Sequence, residues 1–210
     1  LVAMYVDDLI AAGPTDELKA LWEVVESNFE IGDPPKVPTD FLGTQLKVER
    51  KQDRNIAILS MVEYVKHIVH DFTESFNDGQ KVPKRKTPLR SDPRDQPDQS
   101  VDVKFGNIRK LVDLQHMIGQ LLWVCRCTRP DIAAAVSFLS TRITRWTAED
   151  DANLKHLIGY LDYTAESKLT MQVMLEDIKK KSLRNEVFTD ADLKLGGKSQ
   201  SCYMNMILSE

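Results

Sequence analysis

The sequence has no long hydrophobic run and few cysteines, and both features narrow the class of protein. Within its 210 residues, no apolar stretch approaches the roughly 20 residues that a membrane-spanning helix requires, so we expect no membrane partner. Three cysteines, two of them one residue apart at Cys125 and Cys127, are too few for a disulfide framework. They predict reduced thiols and an intracellular protein.

The sequence also has no excess of positive charge. Its net charge is −4, which does not indicate nucleic-acid binding, so any such function would depend on a local basic groove. The proline-rich, weakly apolar residues 73–106 predict a linker, basic in its first half and acidic in its second. The basic half could contact phosphate groups, but a solvated loop is favoured for so short a run: Lys81, Lys84, Arg85, Lys86 and Arg90.

Adjacent carboxylates interrupt the apolar run that opens the sequence. Asp7 and Asp8 lie between strand-forming residues, and the run ends at Gly13-Pro14. This pattern predicts a β-hairpin with the aspartates at or beside its turn. Paired carboxylates repel each other, and a divalent cation is the usual compensation, whereas an ordinary Asp-containing turn is the simpler alternative.

The residues after the hairpin predict a helix and two strands. Thr15 is the expected N-cap of the helix, and its apolar stripe, which includes Trp22 and Phe29, is expected to pack in the core. A strand follows over 41–48, in which Gly43 indicates a bulge or a close backbone approach. A second strand over 55–59 pairs with it.

Four further helices are predicted from apolar spacing. A capping box at 60–63 opens the first, which runs to about Phe72. Helices over 107–127, 130–144 and 147–163 follow at short intervals and predict a helical bundle. Thr147-Ala148-Glu149-Asp150 approximates a second capping box, with Asp in place of Glu, at the start of the last of them. Gly119 inside the second of the four implies close packing against a neighbour. The tail then changes to strand spacing at 169–175, 187–192 and 201–208.

Several short motifs, in the same order, resemble the reverse transcriptases of Ty1/copia-type retrotransposons. The similarity runs nearly end to end and depends on collinearity, since each motif alone is weak. The motifs are Tyr5-Val6-Asp7-Asp8-Leu9, Phe41-Leu42-Gly43, Ile118-Gly119-Gln120-Leu121-Leu122-Trp123, Thr128-Arg129-Pro130-Asp131-Ile132, Ala135-Val136, Leu139-Ser140, Tyr160-Leu161, Asp190-Ala191-Asp192 and Lys198-Ser199.

The resemblance implies roles for individual residues. Asp7 and Asp8 would be catalytic, metal-binding carboxylates for Mg²⁺ or Mn²⁺. Tyr5 and Val6 would lie near the primer terminus and the incoming nucleotide. The Phe41-Leu42-Gly43 turn would grip the primer. Asp190 would be the first metal-binding aspartate of a ribonuclease H-like domain.

The resemblance also implies an α+β architecture in four parts. Residues 1–59 would be the C-terminal part of a polymerase palm, a β-hairpin plus helix and strands. Residues 60–106 would be a thumb-like helix and linker, 107–165 a helical connection region, and 166–210 a truncated ribonuclease H-like start. The implied activity is RNA-directed DNA polymerisation.

The implied partners are an RNA/DNA template–primer duplex, deoxynucleotides and the rest of a polyprotein, in a cytoplasmic virus-like particle or the nucleus. The family's remaining palm aspartate and its fingers fall outside this sequence. We therefore expect the isolated chain not to extend a primer. The alternatives are a non-catalytic nucleic-acid-binding or interaction module and a decayed remnant of such an element.

Overall fold

The structure, a computed structural model, describes residues 1–90, 108–192 and 200–208. It confirms a mixed α+β chain. The chain forms two compact units, one of residues 1–47 and 59–169 and the other of residues 48–58 and 170–210. The four-part division implied by the resemblance stays a prediction.

Four helices of the first unit enclose its hydrophobic core: α2 (Val62–Phe76), α3 (Ile108–Cys127), α4 (Ala133–Arg142) and α5 (Ala148–Tyr163). Their apolar residues recur every three or four positions, so that each helix buries one stripe. The buried members include Val65, Ile68, Leu114, Ile118, Leu121, Val136, Leu139, Leu154, Leu157 and Leu161. The predicted helical bundle is confirmed. Among the described residues, no helix is long and apolar enough to cross a membrane.

The first unit begins with a hairpin and a lone helix. Strands β1 (Val2–Tyr5) and β2 (Asp8–Ala11) precede α1 (Thr15–Asn28). The prediction that Thr15 caps α1 is wrong, because Pro14 occupies the cap position and Thr15 is already helical. The core prediction for Phe29 is also wrong. Phe29 lies in extended backbone beyond the helix and is 70 % exposed, while Trp22 is half-buried.

Strands β3 (Asp40–Phe41), β4 (Thr44–Arg50), β5 (Arg54–Ser60) and β6 (Leu169–Met174) form one sheet in that order. The predicted strand over 41–48 is interrupted, because Leu42 and Gly43 form a two-residue turn between β3 and β4. Their φ angles are 50° and 78°. Gly43 therefore lies in a turn that needs positive φ. The prediction that it forms a bulge or allows a close backbone approach is wrong.

Of the two predicted capping boxes, the one at α5 is present and the one at α2 is not. At α5 the Thr147 hydroxyl accepts from the Asp150 amide, and the Asp150 carboxylate accepts from the Thr147 amide, so the predicted capping box is confirmed. At α2 the box predicted from Ser60 is absent, because Met61 holds the cap position and makes no side-chain cap hydrogen bond. Ser60 is instead the last residue of β5.

The second unit contains one further helix and two further strands. Helix α6 (Leu175–Lys180) follows β6 directly and was not predicted. Strands β7 (Arg184–Asp192) and β8 (Gln200–Leu208) pair in antiparallel register. The spacing of the tail predicted both strands but not their pairing. Exposed apolar side chains such as Val187 and Phe188 lie on β7.

Candidate functional site

The first hairpin presents Asp7 and Asp8 at its tip. Tyr5 pairs with Asp8 across the antiparallel strands, which leaves Val6 and Asp7 as the two-residue turn. Directly opposite side chains share a face of a hairpin, so Tyr5 lies beside Asp8. The predicted hairpin is confirmed, with one aspartate in the turn and the other at the start of β2.

Val6 gives this turn an unusual backbone. Its φ is 51°, whereas Asp7 keeps a negative φ, the pattern of a type II′ turn. A β-branched residue adopts positive φ only at a cost of about 1–3 kcal/mol, so the tip stores strain. Strain of this kind concentrates at binding and catalytic sites.

Both carboxylates at the tip are exposed and available to a ligand. Within the described ranges, neither Asp7 nor Asp8 makes a side-chain hydrogen bond or ion pair. Their hard oxygen donors suit Mg²⁺ or Mn²⁺, and Mg²⁺ commonly takes one or two carboxylates and keeps several waters. No group of three or more His, Cys, Asp or Glu side chains that could hold a metal occurs in the part of the chain that the structure describes. Asp7 and Asp8 could therefore supply at most two of the ligands of such an ion, and water or further groups would complete its coordination.

The predicted primer-gripping residues lie in the second hairpin. Phe41 and Leu42 are half-buried, and Gly43 is exposed. Thr44, which pairs with Phe41, is buried, and its side chain lies beside Cys127 at the end of α3. Burial raises the pKa of the Cys127 thiol, and the neighbouring Thr44 hydroxyl partly opposes the rise. The hairpin is thus fixed on the helical bundle.

The last predicted site residue lies in the second unit. Asp190 belongs to β7, opposite Cys202 of β8. The structure thus places the predicted residues in three hairpins: Tyr5, Val6, Asp7 and Asp8 in the first, Phe41, Leu42 and Gly43 in the second, and Asp190 in the third.

A second cluster of chemically active side chains was only partly foreseen. Residues 81–90, here called the strap, run antiparallel along α5 and carry the basic run. The Arg85 amide donates to the Gly159 carbonyl at 3.1 Å. The His156 ring lies 2.9 Å from the Thr87 carbonyl oxygen, to which Nε2 can donate. Val82 is buried in the core, so the strap backbone is held in place while most of its cations stay exposed.

Gly159 allows the strap to lie this close. A Cβ atom at position 159 would come within 2.2 Å of the Pro83 carbonyl oxygen and 3.1 Å of the Arg85 Cγ. Gly119, for which close packing was predicted, is exposed, and no atom of the described residues outside its own helix lies within 4 Å of its Cβ position. The prediction of close packing at Gly119 is therefore wrong. Gly119 and Gly159 both lie inside helices, so the sequence alone does not show which of them packs closely against a neighbouring segment.

The contacts of buried Arg129 give a structural role to the motif Thr128-Arg129-Pro130-Asp131-Ile132. Its guanidinium donates to both carboxylate oxygens of Asp131, at 2.9 and 2.8 Å, and to Thr164 at 3.1 Å (carbonyl) and 2.7 Å (hydroxyl). The Tyr160 hydroxyl donates to Asp131 at 2.7 Å, and the guanidinium lies 5.5 Å from its ring centroid. Burial raises the pKa of Asp131, but the hydrogen bonds from Arg129 and Tyr160 outweigh it and lower the pKa overall. These contacts join the α3–α4 connection to the end of α5.

We expect Arg129→Lys to lower the free energy of unfolding by about 1–2 kcal/mol. Lysine keeps the charge but cannot supply the planar, bidentate donors that Asp131 and Thr164 receive. Urea unfolding followed by circular dichroism measures the loss. Arg126→Lys, at an exposed position in the last turn of α3, is the matched control and should change stability by less than about 0.5 kcal/mol. Equal effects at both positions would contradict the prediction.

No family model matches the chain, and no solved structure matches it.

Proposed function

We propose that the chain is part of a Ty1/copia-type reverse transcriptase, in which the first hairpin contributes metal-binding carboxylates to the polymerase site. The observation that carries the proposal is the geometry of this hairpin. Asp7 and Asp8 stand at an exposed, strained tip, without partners among the described residues, and Tyr5 lies beside Asp8. The collinear motifs further along the sequence support the same assignment.

The residues of the hairpin suit phosphoryl transfer. This reaction concentrates negative charge on the attacking and leaving oxygens, and two divalent ions about 4 Å apart can stabilise both. Asp7 and Asp8 would hold such ions, and Tyr5 would position the primer end or the nucleotide beside them. The turn at Leu42-Gly43, fixed on the bundle through Thr44, would hold the primer strand. RNA-directed DNA synthesis would be carried out by the complete reverse transcriptase, of which this chain would be a part.

Manganese binding tests the metal assignment. Paramagnetic Mn²⁺ should broaden the amide resonances of residues 5–9 first, and the combined variant Asp7→Asn/Asp8→Asn should weaken this binding at least tenfold, since both oxygen ligands lose their charge. Asp16→Asn/Glu17→Gln is the matched control, because these adjacent exposed acids lie in the first turn of α1. Equal broadening at residues 16 and 17 would show unspecific attraction and contradict the assignment.

Primer extension tests the activity. We expect no extension by the isolated chain, since it supplies two metal-binding carboxylates and the family uses a further one. Extension above background that is lost in Asp7→Asn would contradict this expectation.

A non-catalytic nucleic-acid-binding module is the second candidate, and the exposed cations of the strap favour it. Titration of a primer–template duplex with and without Mg²⁺ separates the two. Binding that ignores both Mg²⁺ and Asp7→Ala, but weakens when Lys84, Arg85 and Lys86 are neutralised, supports the module. Binding that Mg²⁺ strengthens in the wild type but not in Asp7→Ala supports the polymerase assignment, whether or not the strap cations also contribute.

A further inference from the structure

The strap and α5 enclose a cleft of about 210 Å³ with a basic lining. Arg85 and Arg90 reach it from the strap, and Lys155 and His156 from α5, over the apolar atoms of Val82 and Ala152. The chain as a whole has a net charge of −4, so this concentration of cations is a local feature of the surface.

The acids around the cleft neutralise only part of this charge. Arg90 pairs with Glu149 at 2.6 Å, and Lys84 approaches Asp162 at 3.9 Å. Lys155 donates to the neutral amide oxygen of Asn77 at 2.6 Å, and it has no ion-pair partner among the described residues. Among the described residues, Arg85 has no ion-pair partner. The cleft therefore carries net positive charge.

The cleft is organised before any ligand arrives. Its strap side is fixed by the backbone hydrogen bond to Gly159 and by burial of Val82, and His156 is tied to Thr87 across it. Sites held in place in this way lose less conformational entropy on binding.

The pKa of His156 is sensitive to the positive charges around the cleft. Burial lowers its pKa below the ordinary value of 6.5, the hydrogen bond with the Thr87 carbonyl opposes this, and Arg85 and Arg90 lower it further. The two guanidinium groups thus act on the centre of the cleft. A bound anion would reverse their effect on the imidazole.

We propose that this cleft binds backbone phosphates of a nucleic acid strand. Guanidinium groups bind phosphate oxygens through paired, charge-assisted hydrogen bonds, and lysines add non-directional attraction. Cations continue along the strap outside the cleft, at Lys81, Lys84 and Lys86, which suits a row of phosphates more than a single ion. The inference deepens the proposed function, on which it depends for a nucleic acid as the source of phosphate.

Fluorescence anisotropy with a labelled oligonucleotide, single-stranded or duplex, tests the proposal. In about 50 mM salt, Arg85→Gln/Arg90→Gln should weaken binding by about tenfold and reduce the slope of log K against log salt by about 1–2, since two phosphate contacts are lost. Lys19→Gln/Lys36→Gln removes the same charge from exposed positions elsewhere in the first unit and should change binding less than twofold. Equal losses in both variants would overturn the site.

Competition identifies the source of the phosphate. Inorganic phosphate should displace the oligonucleotide only at concentrations far above that of the oligonucleotide itself. If inorganic phosphate binds as tightly as the oligonucleotide, the cleft is a site for free phosphate and the proposal is overturned. Thermal unfolding of each variant shows whether the fold is retained, and both arginines are exposed enough for the fold to tolerate the changes.

A site-specific signal comes from the His156 imidazole protons in nuclear magnetic resonance. Bound oligonucleotide should raise the pKa of His156 in the wild-type chain and leave it unchanged in Arg85→Gln/Arg90→Gln. An unchanged pKa in the wild type would overturn the proposal. His156→Gln assigns the signal among the four histidines.

The Asp7→Asn/Asp8→Asn variant separates this proposal from the metal assignment. In buffer without divalent metal, where the hairpin holds no ion, it should bind the oligonucleotide through the cleft as the wild type does. If Mn²⁺ fails to bind the hairpin while the cleft variants still lose affinity, only the polymerase assignment fails. If Mn²⁺ binds the hairpin and the cleft variants keep full affinity, only the cleft proposal fails.

Discussion

Replacing Asp150 with asparagine is expected to lower the free energy of unfolding by about 3–5 kcal/mol, the usual result of breaking a buried ion pair. The Asp150 side chain is 1 % exposed and lies 3.2 and 3.3 Å from the Arg142 Nε, which is itself on a buried side chain. It also accepts from the amide and the hydroxyl of Thr147, both at 2.8 Å. Asparagine leaves the guanidinium of Arg142 buried without this counter-charge and weakens the cap of α5.

Urea unfolding at pH 7 measures this loss, and Glu149→Gln is its control. Glu149 lies in the same turn of α5 but is exposed, and its ion pair with Arg90 contributes little. We expect a change below about 0.5 kcal/mol for the control. Adding Arg142→Met to Asp150→Asn should recover part of the lost stability, because the buried guanidinium that has lost the Asp150 carboxylate is removed with it. A loss below about 1 kcal/mol in Asp150→Asn would show that the pair does not stabilise the fold.

Local sequence patterns were sufficient for most helices and for the first hairpin. The stripe through Leu154, Leu157 and Leu161 and the capping box at Thr147 are contained within one segment each, so their spacing alone predicted α5. The apolar run around Asp7-Asp8 likewise predicted β1 and β2. In each case the interactions that fix the element join residues only a few positions apart.

Predictions were wrong where the deciding contact was not encoded by spacing. Ser60 has the right spacing for a capping box, but β5 extends through it and moves the helix start to Met61. Phe29 continues the apolar stripe of α1 in sequence, yet α1 ends at Asn28 and the ring no longer lies on it. Strand and helix boundaries depend on pairing with other segments, which apolar periodicity does not report.

The hairpin site and the basic cleft also differ in how far apart their residues lie in the sequence. Asp7 and Asp8 are neighbours in sequence and were found directly. The basic cleft joins Thr87 to His156 across 69 positions, and only its strap side was recognisable from the sequence, as a run of cations. Nothing in the spacing of α5 marks Lys155 and His156 as the opposite wall.

Alanine at position 159 is expected to lower the free energy of unfolding by about 2 kcal/mol, even though alanine favours helices over glycine by about 1 kcal/mol. Its Cβ would stand 2.2 Å from a backbone atom, the Pro83 carbonyl oxygen, which cannot move without moving the strap. Displacing the strap costs the hydrogen bond from the Arg85 amide and exposes Val82. The same variant should weaken oligonucleotide binding, because Arg85 and Arg90 would leave their places opposite Lys155.

Gly119→Ala is the matched control, since it makes the same substitution inside another helix, where the added methyl group meets open space. At position 119 only the gain in helix propensity affects stability. We therefore expect Gly119→Ala to raise the free energy of unfolding by about 1 kcal/mol and to leave oligonucleotide binding unchanged. The two variants should therefore differ by about 3 kcal/mol in urea unfolding, with opposite signs. If Gly159→Ala is stabilising as well, the strap does not lie against α5 in solution, and the cleft, whose wall is the strap, would not exist in the form described.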